Sequence, residues 1–323
     1  MNEFNEEYEV QNEPKKQKFS LFNLFYRNSH NEKADNIDVL KEPTVKNFFR
    51  LLGRKLGKLL SSNIIFVVCN FPIFFLLLAM SGILGENSYA PLTQQWGILE
   101  GASLFEQSPE LLTYLNIYGT KVSINTITTP TIIFFALGAL IIFTMGFAKV
   151  GTSYLYRNMV LGDPVFPTID FFYIVKRNIK QALIFGILDS ILMAIFIFNS
   201  YFLFVNLTSL SLAPFMLFLT IFMAVIYLIA RQYAYLMIFT FKLPLKKIIK
   251  NSIYFVMLGI KRNLIASLFT VILIAINFFL FKIYMPIGMI LPFIITIALI
   301  DFIAVYFAYP NIDKYMVDHS SEN

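Results

Sequence analysis

The sequence predicts an all-α fold: a polytopic membrane protein with six transmembrane helices, amphipathic helices on the inner surface and both termini in the cytoplasm. Three observations predict this class, namely the composition, six long apolar stretches and the placement of the basic residues. Of the 323 residues, 57% are hydrophobic and 14% are charged, whereas a soluble domain carries about 25% charged residues. A soluble enzyme is therefore a poor fit to this composition.

Six stretches are long enough to cross a bilayer as helices, which takes about 20 predominantly apolar residues. These stretches are Leu59–Met80, Pro130–Ala148, Ala182–Val205, Leu212–Phe241, Leu264–Phe281 and Met285–Phe307. Because residues 1–40 are polar, we expect no cleaved signal peptide, and the first helix should be retained.

The basic residues indicate how the stretches are oriented. Four segments, 1–58, 149–180, 242–262 and the residues after 308, hold 23 of the 26 lysines and arginines. Positively charged loops stay in the cytoplasm, so we expect both termini on the inner side of the membrane. The segment 85–129 holds four glutamates and one lysine, and we expect it to be an external loop.

The chain is predicted to have three parts. Residues 1–40 mix charges and asparagines without a sustained hydrophobic period, which is typical of a disordered cytoplasmic tail. Residues 41–310 form the six-helix membrane domain, and residues 311–323 form a short cytoplasmic tail.

Three segments, 41–58, 164–180 and 243–260, combine a basic face with an apolar face, and we expect them to lie along the inner surface. A lysine or arginine near anionic lipid gains roughly 1 kcal/mol. The expected partner is therefore the anionic inner leaflet of the bilayer, and no nucleic acid. The residues of this predicted lipid-facing basic surface are Lys46, Arg50, Arg54, Lys58, Lys176, Arg177, Lys246, Lys247, Lys250, Lys261 and Arg262.

Two of the amphipathic segments end in a similar tripeptide. Lys176-Arg177-Asn178 precedes the third stretch, and Lys261-Arg262-Asn263 precedes the fifth. The recurrence indicates either a duplicated helical unit or two similar points of membrane insertion.

Three ionisable side chains fall within the apolar stretches: Asp189, Arg231 and Asp301. At a rise of 1.5 Å per residue they lie about 13 to 16 Å from the inner end, and an ionised group in a span costs about 2.5 to 3.5 kcal/mol on insertion scales. We therefore expect all three to meet in the bundle interior, with the arginine between the two aspartates. Asn70 adds a further polar side chain to this intramembrane polar cluster, and Pro72 predicts a kink beside it.

Two interpretations of the cluster remain open. As an ion-pair lock, it fixes the register of the helices and needs no ligand. As a binding site, two carboxylates and one arginine leave an excess negative charge that a cation, a proton or a substrate would neutralise.

Motifs for catalysis or metal binding are not found. The chain has one cysteine, Cys69, and its two histidines, His30 and His319, lie in the polar tails. These residues supply neither a multi-thiolate zinc site nor a serine-histidine dyad in the membrane. No P-loop motif occurs. We expect no enzymatic activity, no catalytic residues, no metal and no cofactor.

Two segments resemble the YesL-type integral membrane family of mostly Gram-positive bacteria. The first is Gly146-Phe-Ala-Lys-Val-Gly-Thr-Ser-Tyr-Leu-Tyr-Arg157, and the second is Asp170-Phe-Phe-Tyr-Ile-Val-Lys-Arg-Asn-Ile-Lys-Gln-Ala182. Asn70-Phe71-Pro72 and Lys250-Asn251-Ser252 fit the same pattern.

The family is a domain of unknown function, often encoded beside genes for carbohydrate uptake and degradation. The resemblance implies an accessory or regulatory component of carbohydrate uptake, with an ABC sugar transporter or a sensor protein as partner. It supplies no catalytic residues. The alternative, drawn from the residues themselves, is a stand-alone transporter that uses the intramembrane polar cluster.

Overall fold

The computed structural model describes residues 44–81, 87–90, 120–123 and 128–317. The predicted tail at 1–40, most of the predicted external loop and the last six residues lie outside the described residues. The predictions made for those parts stay predictions.

The regular secondary structure of the described residues is helical apart from one short strand pair. The helices are α1 Val45–Cys69, α2 Pro72–Met80, α3 Thr129–Gly138, α4 Ile141–Leu161, α5 Pro167–Arg177, α6 Ile179–Val205, α7 Ala213–Thr240, α8 Leu245–Leu258, α9 Ile260–Ile283, α10 Met285–Leu291 and α11 Ile297–Ile312, with π-helical segments at Pro292–Thr296 and Asp313–Val317. The strands β1 Asn87–Ala90 and β2 Thr120–Ser123 pair antiparallel, with Asn87 opposite Ser123.

Five helical segments of the described chain are long and apolar enough to cross a membrane. They are Thr129–Leu161, Ile179–Val205, Ala213–Thr240, Ile260–Ile283 and Met285–Val317. The broken pair α1 and α2 makes a sixth if it is counted as one span. The prediction of a multi-pass helical protein is therefore confirmed with five or six candidate spans, and the orientation of the termini stays a prediction.

The first predicted span differs from the structure in where its helix begins. The expected surface helix and the start of the span are one helix, α1, whose first turn is capped by the Thr44 side chain accepting from the backbone N–H of Asn47 at 3.3 Å. The helix ends at Cys69, and α2 begins at Pro72. Proline is tolerated in the first turn of a helix because its missing N–H is not needed there. The predicted interruption at Asn70–Pro72 is confirmed.

The chain divides into two compact units, one made of residues 71–141 and one made of the rest. In the smaller unit α2 packs against α3. A Cβ atom added at Gly138 would lie 2.9 Å from the backbone nitrogen of Leu76, so only glycine allows this approach. The rings of Phe75 and Phe134 meet edge to face at 5.7 Å.

In the larger unit the core lies toward one end of the helices. The second halves of α4 and α7 and most of α11 are buried, whereas α9 buries only Asn263. The exposed remainder is apolar, which suits a surface surrounded by lipid. Helix α11 also continues past Pro310 to Ile312, and the start of a cytoplasmic tail at residue 311 stays a prediction.

The shared tripeptide stands at different positions relative to the helix ends in the two amphipathic units around α5 and α8. Asn178 is the cap residue between α5 and α6, whereas the corresponding cap between α8 and α9 is Gly259. Asn263 lies one turn further along α9, where its side chain donates to the carbonyl of Val256 at 3.0 Å. The tripeptides therefore do not mark equivalent positions, and a duplication stays a prediction.

Asn63 of α1 fills a break in the last span. Its Oδ1 accepts from the backbone N–H of Ala298 at 2.8 Å, and its Nδ2 donates to the carbonyls of Pro292 and Phe293 at 3.1 and 2.6 Å. A π segment interrupts the regular helical hydrogen bonds, and buried backbone groups need partners in a span. One fully buried side chain thus supplies three of them.

Helices α4 and α6 touch backbone to backbone at Gly146 and Gly186. A Cβ atom at Gly146 would clash with the carbonyl oxygen of Ala182 and approach the Cα of Gly186 to 2.6 Å. This contact determines how closely the helix carrying Lys149 approaches its neighbour.

Gly146→Ala should destabilise the protein by about 1 to 3 kcal/mol, because an added methyl group here overpacks two backbones. Gly53→Ala is the matched control, since nothing lies within 4 Å of its added Cβ, and it should be neutral or stabilise α1 by about 0.5 to 1 kcal/mol. The measurement is unfolding of both variants in detergent micelles. Equal stabilities would contradict the close contact.

Asn63→Leu should destabilise the protein by about 1 to 3 kcal/mol for each buried backbone group it leaves without a partner. Asn206→Leu is the control, because Asn206 is not buried and donates only to Phe202 of its own helix. The same unfolding assay compares the two variants. A loss no larger than that of the control would refute the role given to Asn63.

Candidate functional site

Asp189 of α6 is held by one face of α7. Its Oδ2 accepts from Nη2 of Arg231 and from the hydroxyl of Tyr235, both at 2.6 Å, and its Oδ1 accepts from the hydroxyl of Tyr227 at 2.7 Å. The side chain of Asp189 is 0% exposed. The predicted pairing of Asp189 with Arg231 is confirmed, and two tyrosines complete it.

The spacing of these donors explains why they converge. Tyr227, Arg231 and Tyr235 are four residues apart, so they lie on one face of α7. The pattern is visible in the sequence, but the prediction rested on side chains that are charged at neutral pH and therefore left the two tyrosines out.

Asp301 of α11 pairs with Lys149 of α4, not with Arg231. The Nζ of Lys149 lies 2.5 Å from Oδ1 of Asp301, and the same oxygen accepts from Nε2 of Gln232 at 3.1 Å. The expectation that Arg231 lies between both aspartates is therefore wrong. Lys149 directly follows an apolar stretch and was assigned to an inner loop, but α4 continues to Leu161 and carries it into the core.

The two ion pairs form one neutral network across α4, α6, α7 and α11. Arg231 and Gln232 are neighbours on α7, and Lys149 lies within electrostatic range of both Arg231 and Asp189. The predicted excess of negative charge is wrong, because Lys149 supplies the second positive charge. A buried ion pair offsets its desolvation only with good geometry and further hydrogen bonds, and the Asp189 half has both.

Hydrogen bonding is incomplete around the rest of the network. Three buried polar atoms have no hydrogen-bond partner within the described residues: Nε of Arg231, Oε1 of Gln232 and Oγ of Ser190. Oδ2 of Asp301 accepts no hydrogen bond from the described residues, in contrast to both oxygens of Asp189. The open polar atoms on the Asp301 side can therefore engage a further molecule.

Asn70 forms a separate polar contact. Its Nδ2 donates to the carbonyl of Phe66 at 3.0 Å, and its Oδ1 accepts from the hydroxyl of Thr144 at 3.1 Å. These bonds hold the end of α1 against α4. Asn70 therefore makes no hydrogen bond to the charged residues with which it was grouped.

Most of the predicted basic surface is exposed, and two of its members are half-buried. Lys58 donates to the carbonyl of Val165 at 2.8 Å, and Arg262 donates to Oδ1 of Asn311 at 3.0 Å. Both therefore bind the protein itself, and the contact of this basic surface with lipid stays a prediction. The exposed members are Lys46, Arg50, Arg54, Lys176, Arg177, Lys246, Lys247, Lys250 and Lys261.

Arg262 belongs to a buried polar chain at the same end of the bundle. Nδ2 of Asn311 donates to the hydroxyl of Tyr233 at 2.8 Å, and that hydroxyl donates to Oδ1 of Asn263 at 2.8 Å. The chain connects α7, α9 and α11. Among the described residues, no group of three or more His, Cys, Asp or Glu side chains is placed to hold a metal ion.

Comparisons with known proteins give no match: no family model, no curated protein and no solved structure is similar to this chain. The resemblance to the YesL-type family stays a prediction.

Replacing one partner of the saturated pair should be far more damaging than replacing both. Asp189→Leu or Arg231→Met alone should cost about 3 to 5 kcal/mol, because each leaves an uncompensated buried charge, whereas the double variant should lose much less. The double-mutant cycle is read from unfolding in detergent.

Tyr227→Phe is the control for local disturbance, since it removes one donor and no charge and should cost about 0.5 to 1.5 kcal/mol. Additive losses in the double variant would mean that the two charges do not depend on each other.

Proposed function

We propose that this protein is a non-enzymatic, multi-pass protein of a bacterial plasma membrane that acts as an accessory or regulatory component of carbohydrate uptake. Its partner in this proposal is an ABC sugar transporter or a sensor protein. The carbohydrate context rests on the resemblance to the YesL-type family, and the accessory role rests on the chemistry of the charged network.

The observation that carries the accessory role is the mutual neutralisation of Lys149, Asp189, Arg231 and Asp301. An ion bound beside this network would carry an uncompensated charge into a medium of low dielectric, because the two positive and two negative groups balance. Asp189 in particular is saturated by three donors. A lock of this kind stabilises a fixed arrangement of helices, as a scaffold for a partner requires.

The exposed faces of α1, α5 and α8 supply the surface for lipid and partner. On α8, Lys246, Lys247 and Lys250 are exposed, and so are the apolar side chains of Ile253 and Met257. Basic and apolar groups together favour an anionic membrane surface. We assign this face to the cytoplasmic side, with both termini inside.

A second candidate is a stand-alone transporter, which the unsaturated half of the network supports. Oδ2 of Asp301 and Oε1 of Gln232 accept no hydrogen bond, and Nε of Arg231 donates none within the described residues. In this proposal the Asp189 pair holds the helices while the Asp301 side binds the substrate.

Affinity purification after crosslinking in the host membrane should recover a stoichiometric membrane complex. Charge reversal of α8 through Lys246→Glu, Lys247→Glu and Lys250→Glu should reduce that recovery at least about tenfold if α8 contributes the binding charge, while Lys282→Glu, at the far end of α9, serves as control. Mass spectrometry identifies and quantifies the partner.

A protein recovered alone, together with sugar flux in proteoliposomes that Asp301→Asn abolishes, would replace the accessory role with transport. A partner retained by the α8 variant would place the contact elsewhere on the protein.

A further inference from the structure

The two ion pairs of the network differ in how far they are closed. The side chain of Asp189 is 0% exposed and accepts three hydrogen bonds. The side chains of Lys149 and Asp301 keep 7% and 5% exposure, although both residues are classed with the core. Exposure does not separate the two pairs, since the side chain of Arg231 keeps 6%. What separates the two carboxylates is that Oδ2 of Asp301 accepts no hydrogen bond from the described residues.

The unsatisfied atoms at this half comprise donors and acceptors in one place. Within the described residues, Oδ2 of Asp301 and Oε1 of Gln232 are open acceptors. The ammonium group of Lys149 has three N–H donors and uses one of them for Asp301. A hydroxyl group, which both donates and accepts, matches this set.

Charge decides the class of ligand. Lys149 and Arg231 balance Asp189 and Asp301, so an ion bound here would carry an uncompensated charge into a medium of low dielectric. A neutral ligand carries no such cost. Internal waters typically make about three hydrogen bonds to buried polar groups that would otherwise lack partners.

Polar side chains continue from this pair along one face of α4. Ser153 and Tyr156 lie one and two turns beyond Lys149, in the direction of the end of the helix at Leu161. Both residues are 1% exposed, which makes them as buried as the residues of the hydrophobic core. Ionisable residues inside a membrane commonly face a water-filled cavity, and this face gives water a polar path.

We propose that Lys149, Gln232 and Asp301 line an internal hydrated site that holds a hydroxyl ligand, either water or an alcohol group of a neutral polyol. The carboxylate of Asp189, whose two oxygens accept three hydrogen bonds, lies outside this site. The site depends on neither proposed function, since a scaffold can hold structural water and a transporter can bind a polyol there.

Cysteine labelling tests the site in the full-length protein. In a Cys69→Ser background, Ser153→Cys exchanges one oxygen for sulfur one turn along α4 from Lys149. Ser252→Cys makes the same exchange at a buried serine of α8 whose hydroxyl already donates to the carbonyl of Ile249. The reagent is the small, neutral methyl methanethiosulfonate, applied to protein in lipid nanodiscs. Only a thiolate reacts, and a thiol in apolar surroundings stays protonated.

Ser153→Cys should react more than about tenfold faster than Ser252→Cys, because hydration permits the thiolate to form. The exposed Lys261→Cys gives the rate for a fully accessible thiol. Replacing the pair with Lys149→Met and Asp301→Leu should suppress the labelling of Ser153→Cys. Should Ser153→Cys fail to fold, Gln232→Cys replaces it as the reporter.

Glycerol separates the two hydroxyl sources. Slower labelling of Ser153→Cys in glycerol, with an unchanged rate for Lys261→Cys, assigns an organic alcohol; an unchanged rate at both assigns water, and either result supports the site. Equal, slow rates at Ser153→Cys and Ser252→Cys would overturn it, and so would labelling that persists after the pair is replaced.

Discussion

A bilayer has no water in its interior to solvate a charge or an unpaired backbone group, and the larger unit is organised around that constraint. Asp189 is accommodated in the interior because α7 presents three hydrogen-bond donors to it. The π segment of the last span persists because Asn63 reaches it from α1. Each local departure from an apolar, regular helix is compensated by a side chain from another helix, so these polar contacts determine which helices are neighbours.

The network combines two kinds of polar site in one bundle. Around Asp189 both carboxylate oxygens accept hydrogen bonds, three in all, which favours rigidity. Around Asp301 one oxygen is left open, and the neighbouring Gln232 has a free acceptor. Arg231 and Gln232 are adjacent on α7, so the residue that bonds Asp301 directly follows the residue that bonds Asp189. Stability and ligand binding can thus reside in the same network without requiring the same residues.

Apolar length alone predicted the multi-pass helical fold, since a span is a local property of about 20 residues. The break at Pro72 was equally predictable, because proline acts on its own helix. The partner of Asp301 was not, because both Lys149 and Arg231 lie at suitable depth and only the rotation of α4 against α11 decides between them. Asn63 was missed for the same reason: its partners are backbone atoms more than 200 residues away, and a sequence pattern carries no sign of them.

Helix α1 runs without interruption from Val45 at the basic surface to Cys69. A 25-residue helix is about 37 Å long, and a helix of this kind behaves as a stiff rod. Its exposed basic end meets whatever lies along the membrane surface, and Asn63 couples its deep end to the break in the last span. A force applied to the surface end, by a change in lipid charge or by a docking protein, is therefore transmitted to the π segment Pro292–Thr296 of the last span, where the regular helical hydrogen bonds are interrupted.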